Sequence, residues 1–353
     1  MSESKGQSGA VHRLRVREVV TETPDACSFV FDVAPEQVDV VVHLPGQFLI
    51  VKIPSSSVGS VARCYSISSA SPESEPLTIT VKRVPGGYGS NWLCDNVRAG
   101  TELEVLKPAG VFTPRSFDRD LLLVAGGSGI TPLMSILKSA LWDHAGQVAL
   151  VYANRDVGSV IFGRELDSLT RQYGSRVRVY HWLESERGIP TVEGLRELLA
   201  PFAERDIFVC GPAPYMDCAT LALHELGVQG DRIHKERFVS LVGNPFEIAS
   251  APAHGEMAQV EGAQTQLTVD FEGSNCVLAW PRGAVLLDVL LQNGLDAPYS
   301  CREGSCSACA CNLVSGEVEM LHNEILDAED IASGLILACQ AVPVTSSVSI
   351  SYP

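Results

Sequence analysis

Apolar residues fall along this chain in three different rhythms. As far as about Pro114 they come in short runs, such as Gln47-Phe48-Leu49-Ile50-Val51-Lys52-Ile53 and Leu77-Thr78-Ile79-Thr80-Val81-Lys82, broken by Pro and Gly. Such runs predict short strands, and regular strands separated by turns predict a small antiparallel barrel. From Leu121 the rhythm changes. The continuous apolar run Leu121-Leu122-Leu123-Val124-Ala125 leads into a glycine-rich turn and a helical stretch, then into Val148–Tyr152. Further strands are predicted at Val177–Trp182 and Ile207–Cys210, alternating with helices at Phe162–Tyr173, Val192–Leu199 and Tyr215–Leu226. That alternation predicts a parallel α/β sheet.

Between about Ser240 and Gln264, Ala, Pro, Gly, Glu and Gln replace any periodic apolar signal, which predicts a linker. After it come strands at Leu267–Phe271 and Val277–Trp280 about a turn at Glu272-Gly273, then a helix at Ala284–Asn293. A compact α+β unit closes the chain. The expected division is 11–115, 116–239, a linker at 240–264, and 265–353.

With 353 residues, 46% of them hydrophobic, the chain can fill two or three ordinary cores, which excludes a small disulfide-stapled module. The first residues lack the apolar run of a signal peptide, and no stretch approaches the ~18 to 20 apolar residues that span a bilayer. A cytoplasmic location is expected. The net charge of −16 argues against nucleic acid and anionic membrane surfaces and towards a positively charged protein partner. Residues 265–353 alone carry −9.

Eleven cysteines in a reducing compartment point to metal ligation, catalysis or buried thiols. Cys301, Cys306 and Cys309 stand as Cys-x4-Cys-x2-Cys, and Cys339 follows. This is the plant-type [2Fe-2S] spacing: one loop offers three thiolates, and Gly304, Ser307 and Ala308 are small enough for backbone amides to close on the sulfides. A zinc site is the alternative, although it usually takes two Cys-x2-Cys pairs. Cys27, Cys94, Cys218, Cys276 and Cys311 lie outside the pattern and read as packing thiols.

Two further segments suit cofactors. Arg63-Cys64-Tyr65-Ser66 places a planar cation, an aromatic face and a hydroxyl together, followed by Val81-Lys82-Arg83 and by a glycine turn, Gly86-Gly87-Tyr88-Gly89-Ser90, that opens a short helix. A surface strand with an exposed Arg is the competing reading. Gly126-Gly127-Ser128-Gly129-Ile130-Thr131-Pro132 follows an apolar strand and begins a helix, and Cys210-Gly211-Pro212 repeats that context at a later strand end. Cys210 could equally be a core thiol, and Phe238 in Glu236-Arg237-Phe238 could simply pack. His181, His224 and His234 read as structural.

Arg63, Tyr65 and Ser66 form a motif that resembles the flavin signature of the ferredoxin-NADP reductase superfamily. By that resemblance Arg63 neutralises the pyrophosphate, Tyr65 covers the ring and Ser66 serves hydride transfer, with Val81, Lys82, Gly89 and Ser90 also at the flavin, FAD being favoured over FMN. The superfamily's nicotinamide turns correspond to Gly126, Gly127, Ser128, Gly129, Thr131, Gly211 and Pro212, with Cys210 beside the nicotinamide, Thr131 near the flavin and Phe238 approaching it. Asp156 directly after Arg155 favours NADH over NADPH. The order flavin barrel, α/β nicotinamide domain, β-grasp-like ferredoxin, together with Gly59–Ser66, Gly89–Asp95, Val151–Arg155, His181–Ser185 and Ala279–Arg282, is similar to the reductase components of actinobacterial 3-ketosteroid 9α-hydroxylases. The resemblance implies electron delivery to a Rieske-type non-haem iron oxygenase in steroid degradation; reductases of phenylacetyl-CoA epoxidase and other ring oxygenases share the motifs. Ser307 departs from the Gly that many such cluster loops carry.

Overall fold

The computed structural model describes residues 11–70, 75–142, 144–241, 243–248, 264–271 and 273–352. Three sheets organise it, one for each rhythm of the sequence. The first holds β1 (His12–Thr23), β2 (Ala26–Asp32), β3 (Phe48–Ser55), β4 (Gly59–Ser66), β5 (Thr78–Lys82) and β6 (Glu102–Val105), antiparallel in the order β4-β3-β6-β1-β2-β5. An antiparallel bridge between Ile67 and Ile79 joins the two ends into a barrel. Leu14, Val16, Leu49, Val51, Ile53, Ile79 and Val81 fill it, as period-2 alternation requires.

β3 breaks that alternation. Its other face, Phe48 and Ile50, is buried as well, against Leu241, Phe246, Cys301 and Cys306. Leu241 and Phe246 belong to the stretch read as linker. Phe246 sits in the short helix Pro245–Ile248, and the neighbouring Asn244 bonds Ser60, so this part lies along the barrel wall. Residues 242 and 249–263 of that stretch, and Glu272 of the expected turn, lie outside the described residues.

The second sheet is parallel, in the order β11-β10-β7-β8-β9, from β7 (Leu121–Gly126), β8 (Val148–Asn154), β9 (Val177–Leu183), β10 (Asp206–Cys210) and β11 (Ile233–Glu236). Helices Ile130–Trp142 and Gly163–Tyr173 cover one face, and Val192–Leu199 and Ala213–Glu225 the other, so central β7 and β8 are buried throughout. The carboxyl ends of β7 and β10 lie side by side, which brings Gly126 to Cys210.

The third sheet runs β13-β12-β18-β14-β16, from β12 (Gln264–Phe271), β13 (Ser274–Pro281), β14 (Ala310–Ser315), β16 (Leu335–Leu337) and β18 (Ser347–Ser351). A separate ribbon pairs β15 (Val318–Met320) with β17 (Ala341–Pro343). β12 and β18 are parallel and the other pairs antiparallel, while the helix Leu286–Gln292 packs its Leu286, Leu287 and Leu290 onto one face: a β-grasp arrangement. Among the described residues no helix is long and apolar enough to cross a membrane.

Candidate redox site

The loop between the helix Leu286–Gln292 and β14 carries Cys301, Cys306 and Cys309, and the turn between β16 and β17 brings Cys339 to them. The thiols meet as one group, Cys301 touching Cys306 and Cys339, and Cys339 touching Cys309. The Cys301 amide donates to Cys306 Sγ at 3.5 Å and the Cys339 amide to Cys309 Sγ at 3.4 Å, while Cys301 also reaches Cys339. Among the described residues no three His, Cys, Asp or Glu side chains converge on a single-ion site. Four buried thiols spaced Cys-x4-Cys-x2-Cys with a distant fourth fit a two-iron cluster better than zinc, which usually takes two Cys-x2-Cys pairs.

The loop's own backbone explains its composition. Gly304, at φ +80°, lies where a Cβ would stand 2.7 Å from the His322 carbonyl oxygen. Ser307 adopts φ +54°, the left-handed region that glycine occupies more easily, and its buried hydroxyl has no partner among the described residues. Gln340 donates to the Arg302 carbonyl at 2.9 Å and so braces the loop against Cys339. Of the other thiols, Cys94 and Cys311 are buried and Cys27, Cys218 and Cys276 half-buried.

Arg63, Tyr65 and Ser66 stand on β4, where the hairpin with β3 ends. The helix Tyr88–Asn96 points its first turn at them. A Cβ on Gly89 would meet Ile53 Cδ1 at 2.8 Å, Arg63 Cγ at 2.9 Å and Tyr65 Oη at 3.1 Å, so only glycine lets that turn approach Arg63. Arg63 donates to the Ala62 and Leu241 carbonyls and has no acidic partner among the described residues. A guanidinium without an acidic partner beside helix first-turn amides could hold a pyrophosphate. The Ser66 hydroxyl, almost buried, makes no hydrogen bond among the described residues. Ser90 is engaged, its Oγ accepting from the Val84 amide at 3.0 Å. Val81 is a core residue of the barrel, which leaves only its backbone for any cofactor.

Gly126–Gly129 and Cys210–Pro212 are packed backbone on backbone. A Cβ on Gly129 would collide with the Cys210 carbonyl, and one on Gly211 would lie 3.0 Å from Gly126. Gly127 and Ser128 form the half-buried crest of the first turn, and Thr131 is buried, its hydroxyl donating to the Ser128 carbonyl at 3.0 Å. Pro212 is exposed at the start of the helix Ala213–Glu225. Lys82 reaches across from the barrel to within 3.7 Å of the Cβ position at Gly127.

Tyr215 was not singled out by the sequence, yet its ring covers both turns and its buried hydroxyl has no partner among the described residues. The tyrosine three residues after Cys210-Gly211-Pro212 was the available signal.

Cys210 is fully buried, and burial, then Glu236, hold its thiol well above the ordinary range. It is a neutral neighbour and no nucleophile. Glu236 at the end of β11 keeps a little exposed surface, but burial, then Asp330, pushes its carboxyl up to about 8. Phe238 is 52% exposed, so it does not pack in the protein. Cys64 ties the groups together: it packs against the cluster end with Cys301 and Cys306, and after burial its thiol feels first Cys301 and then Glu236.

A glycine cradle beside an arginine with no acidic partner, a double glycine turn at the carboxyl ends of a parallel sheet, and four clustered thiols define an oxidoreductase with flavin, nicotinamide and two-iron sites. Family models agree. An "Oxidoreductase FAD-binding domain" matches residues 13–113, an "Oxidoreductase NAD-binding domain" 123–220, and a "2Fe-2S iron-sulfur cluster binding domain" 269–344. The chain is 49% identical over 339 residues to a 3-ketosteroid-9-alpha-monooxygenase ferredoxin reductase component of Rhodococcus rhodochrous, covering 96% of each. It is 50% identical over 346 residues to one of Mycolicibacterium smegmatis, covering 97% of each. Phthalate dioxygenase reductase shares the fold, with a TM-score of 0.57 at 23% identity over 97% of this chain and 98% of that one. The chain belongs to the family of ferredoxin reductase components of 3-ketosteroid-9-alpha-monooxygenase.

Proposed function

We propose that the protein takes hydride from NADH and delivers electrons singly to a Rieske-type oxygenase that hydroxylates a 3-ketosteroid at C9, working in the cytoplasm. The observation that carries this reading is the contact chain at the centre of the molecule. Lys82 of the barrel reaches the Gly127 turn, and Cys64 of β4 packs against the group that holds Cys301 and Cys306, so nicotinamide turn, flavin strand and cluster loop share one neighbourhood. A flavin supplies the conversion between a two-electron donor and a one-electron acceptor.

In this reading the units are 11–115 for FAD, 116–239 for NADH and 265–353 for the cluster, joined through 240–264. Arg63, Gly89, Ser90 and Lys82 hold the FAD phosphates, with the Val81 backbone alongside, and Tyr65 and Phe238 flank its ring. Ser66 and Cys210 border the atoms that exchange hydride. Gly126, Gly127, Ser128, Gly129, Thr131, Gly211 and Pro212 shape the nucleotide turn, and Cys301, Cys306, Cys309 and Cys339 ligate the irons.

The preference for NADH rests on Arg155. Its guanidinium is 3.2 Å from Asp25 of the barrel, and Asp156 next to it accepts from the Ser159 amide, so the segment offers no uncommitted cation to a 2'-phosphate. kcat/KM for NADH should exceed that for NADPH by well over tenfold, and comparable values would withdraw the preference. The client is tested by mixing the protein with NADH and a ketosteroid hydroxylase oxygenase, counting hydroxylated steroid per NADH consumed, with a phenylacetyl-CoA epoxidase in parallel. Coupling to the epoxidase alone would remove the steroid assignment and keep the reductase.

A further inference from the structure

We propose that Lys235 is a positioning residue, the anchor that seats the iron-sulfur unit against the nicotinamide sheet in register for electron transfer from the flavin. Lys235 is on β11, the edge strand of that sheet. Its Nζ lies 2.6 Å from Asp327 Oδ2 and 2.6 Å from Glu329 Oε2, both on the other unit, and its side chain is only 8% exposed. Two weaker contacts surround it: Arg237 stands 3.9 Å from Asp327, and His224 Nε2 stands 3.3 Å from Glu329.

One acceptor, Asp327, is held in place independently of Lys235. Asp327 caps the helix Ala328–Ala332, accepting from the Glu329 and Asp330 amides at 2.9 and 3.0 Å, while its own amide donates to Asp330 Oδ2. Burial alone would lower the pKa of the Lys235 ammonium, but its hydrogen bonds to Asp327 and Glu329 raise it, so the charge stays on. The other large contact of the iron-sulfur unit, Cys301 and Cys306 against Phe48, Ile50 and Cys64, is apolar. Apolar contact is non-directional and tolerates sliding, whereas a buried lysine held by a helix-capping aspartate and a second carboxylate does not. A buried ion pair adds little net stability yet can select one arrangement.

Position gives the anchor its consequence. Lys235 is the immediate neighbour of Glu236, which pairs with Cys210 across β10 and β11. One strand end therefore borders the hydride site and holds the unit that must receive the electrons. The step concerned moves one electron and makes or breaks no bond, so its rate depends on the distance and orientation this contact fixes.

The inference rests on the relay from nicotinamide through flavin to cluster, and its test uses no oxygenase, so it stands or falls separately from the choice of client. The flavin- and cluster-loaded full chain is mixed with NADH in a stopped-flow instrument, and flavin and cluster reduction are followed at separate wavelengths. Lys235→Met should leave flavin reduction unchanged and slow cluster reduction roughly tenfold or more. It should also abolish the salt sensitivity of that second phase and raise amide exchange across residues 324–333. Lys235→Arg should restore much of the rate.

If Lys235→Met does not fold, Asp327→Asn with Glu329→Gln makes the same cut from the other side, since asparagine still caps the helix. Cluster reduction at the wild-type rate in whichever variant folds, or an equal loss in both phases, would overturn the proposal.

Discussion

At the residue scale the proposed flavin cradle has almost no slack. Gly89 is surrounded by Ile53, Arg63 and Tyr65, each about 3 Å or less from where a methyl would go, and Ile53 belongs to the barrel core. Gly89→Ala must push Arg63 and Tyr65 outward or swing the helix Tyr88–Asn96 away. We expect the variant to purify with several-fold less flavin per chain, read from its visible absorbance, and with unchanged iron and sulfide. Full flavin content would separate this turn from the pyrophosphate. Glu236 permits a second test, with a definite sign. Burial and then Asp330 raise its carboxyl from 4.5 to about 8, so its contribution to stability is fully present below about 4.5 and is lost as pH rises through about 8. Glu236→Gln removes that titration: it should match the parent near pH 5 and exceed it by ~2 to 4 kcal/mol near pH 9 in thermal unfolding. Parallel stability curves for the two proteins would contradict the shift.

β3 is the element on which the architecture turns. Leu49, Val51 and Ile53 point into the barrel, while Phe48 and Ile50 point out to Phe246 and the cluster loop. Leu49→Ala and Ile50→Ala each remove a fully buried aliphatic group, a loss of about 2 to 5 kcal/mol. The symptoms should differ: Leu49→Ala sheds flavin, whereas Ile50→Ala keeps it and bleaches its cluster faster under a chelator. Identical behaviour would mean the two faces are not separate. The run Phe48-Leu49-Ile50-Val51 announced a strand buried on both faces, but sequence could not say what covered the second one. The same division runs through the whole site. Three thiols in one loop and glycine turns at strand ends are local patterns, set by neighbours along the chain, and were legible. The Lys235–Glu329 contact joins residues 94 apart, and Cys64 meets Cys301 across the fold, so neither leaves a local trace. Nor did composition distinguish the packed residues Leu241 and Phe246 from linker, because these two apolar side chains suffice to pin that part to the barrel.

Over the whole molecule, charge has two tasks that salt affects together. The segment 265–353 carries −9, more than half of the chain's −16. Part of that charge is spent internally, on Lys235 by Asp327 and Glu329 and on Arg302 by Asp288. Glu317 and Glu319 are exposed and have no ion pair among the described residues, so under the proposed function they are the charges of this unit offered to a basic oxygenase surface. Screening sets in over about 10 Å at 0.1 M salt, and exposed docking charges feel it more than the buried Lys235 contact. Coupled hydroxylation should therefore fall with salt more steeply than internal cluster reduction does. Glu317→Gln with Glu319→Gln should flatten the first dependence and leave the second as it was. Lys235→Met should do the reverse, abolishing the internal dependence while the docking dependence persists wherever docking limits turnover. If the glutamine pair leaves the salt dependence of hydroxylation intact, the oxygenase docks elsewhere, and the acidic surface of this unit serves only its own fold.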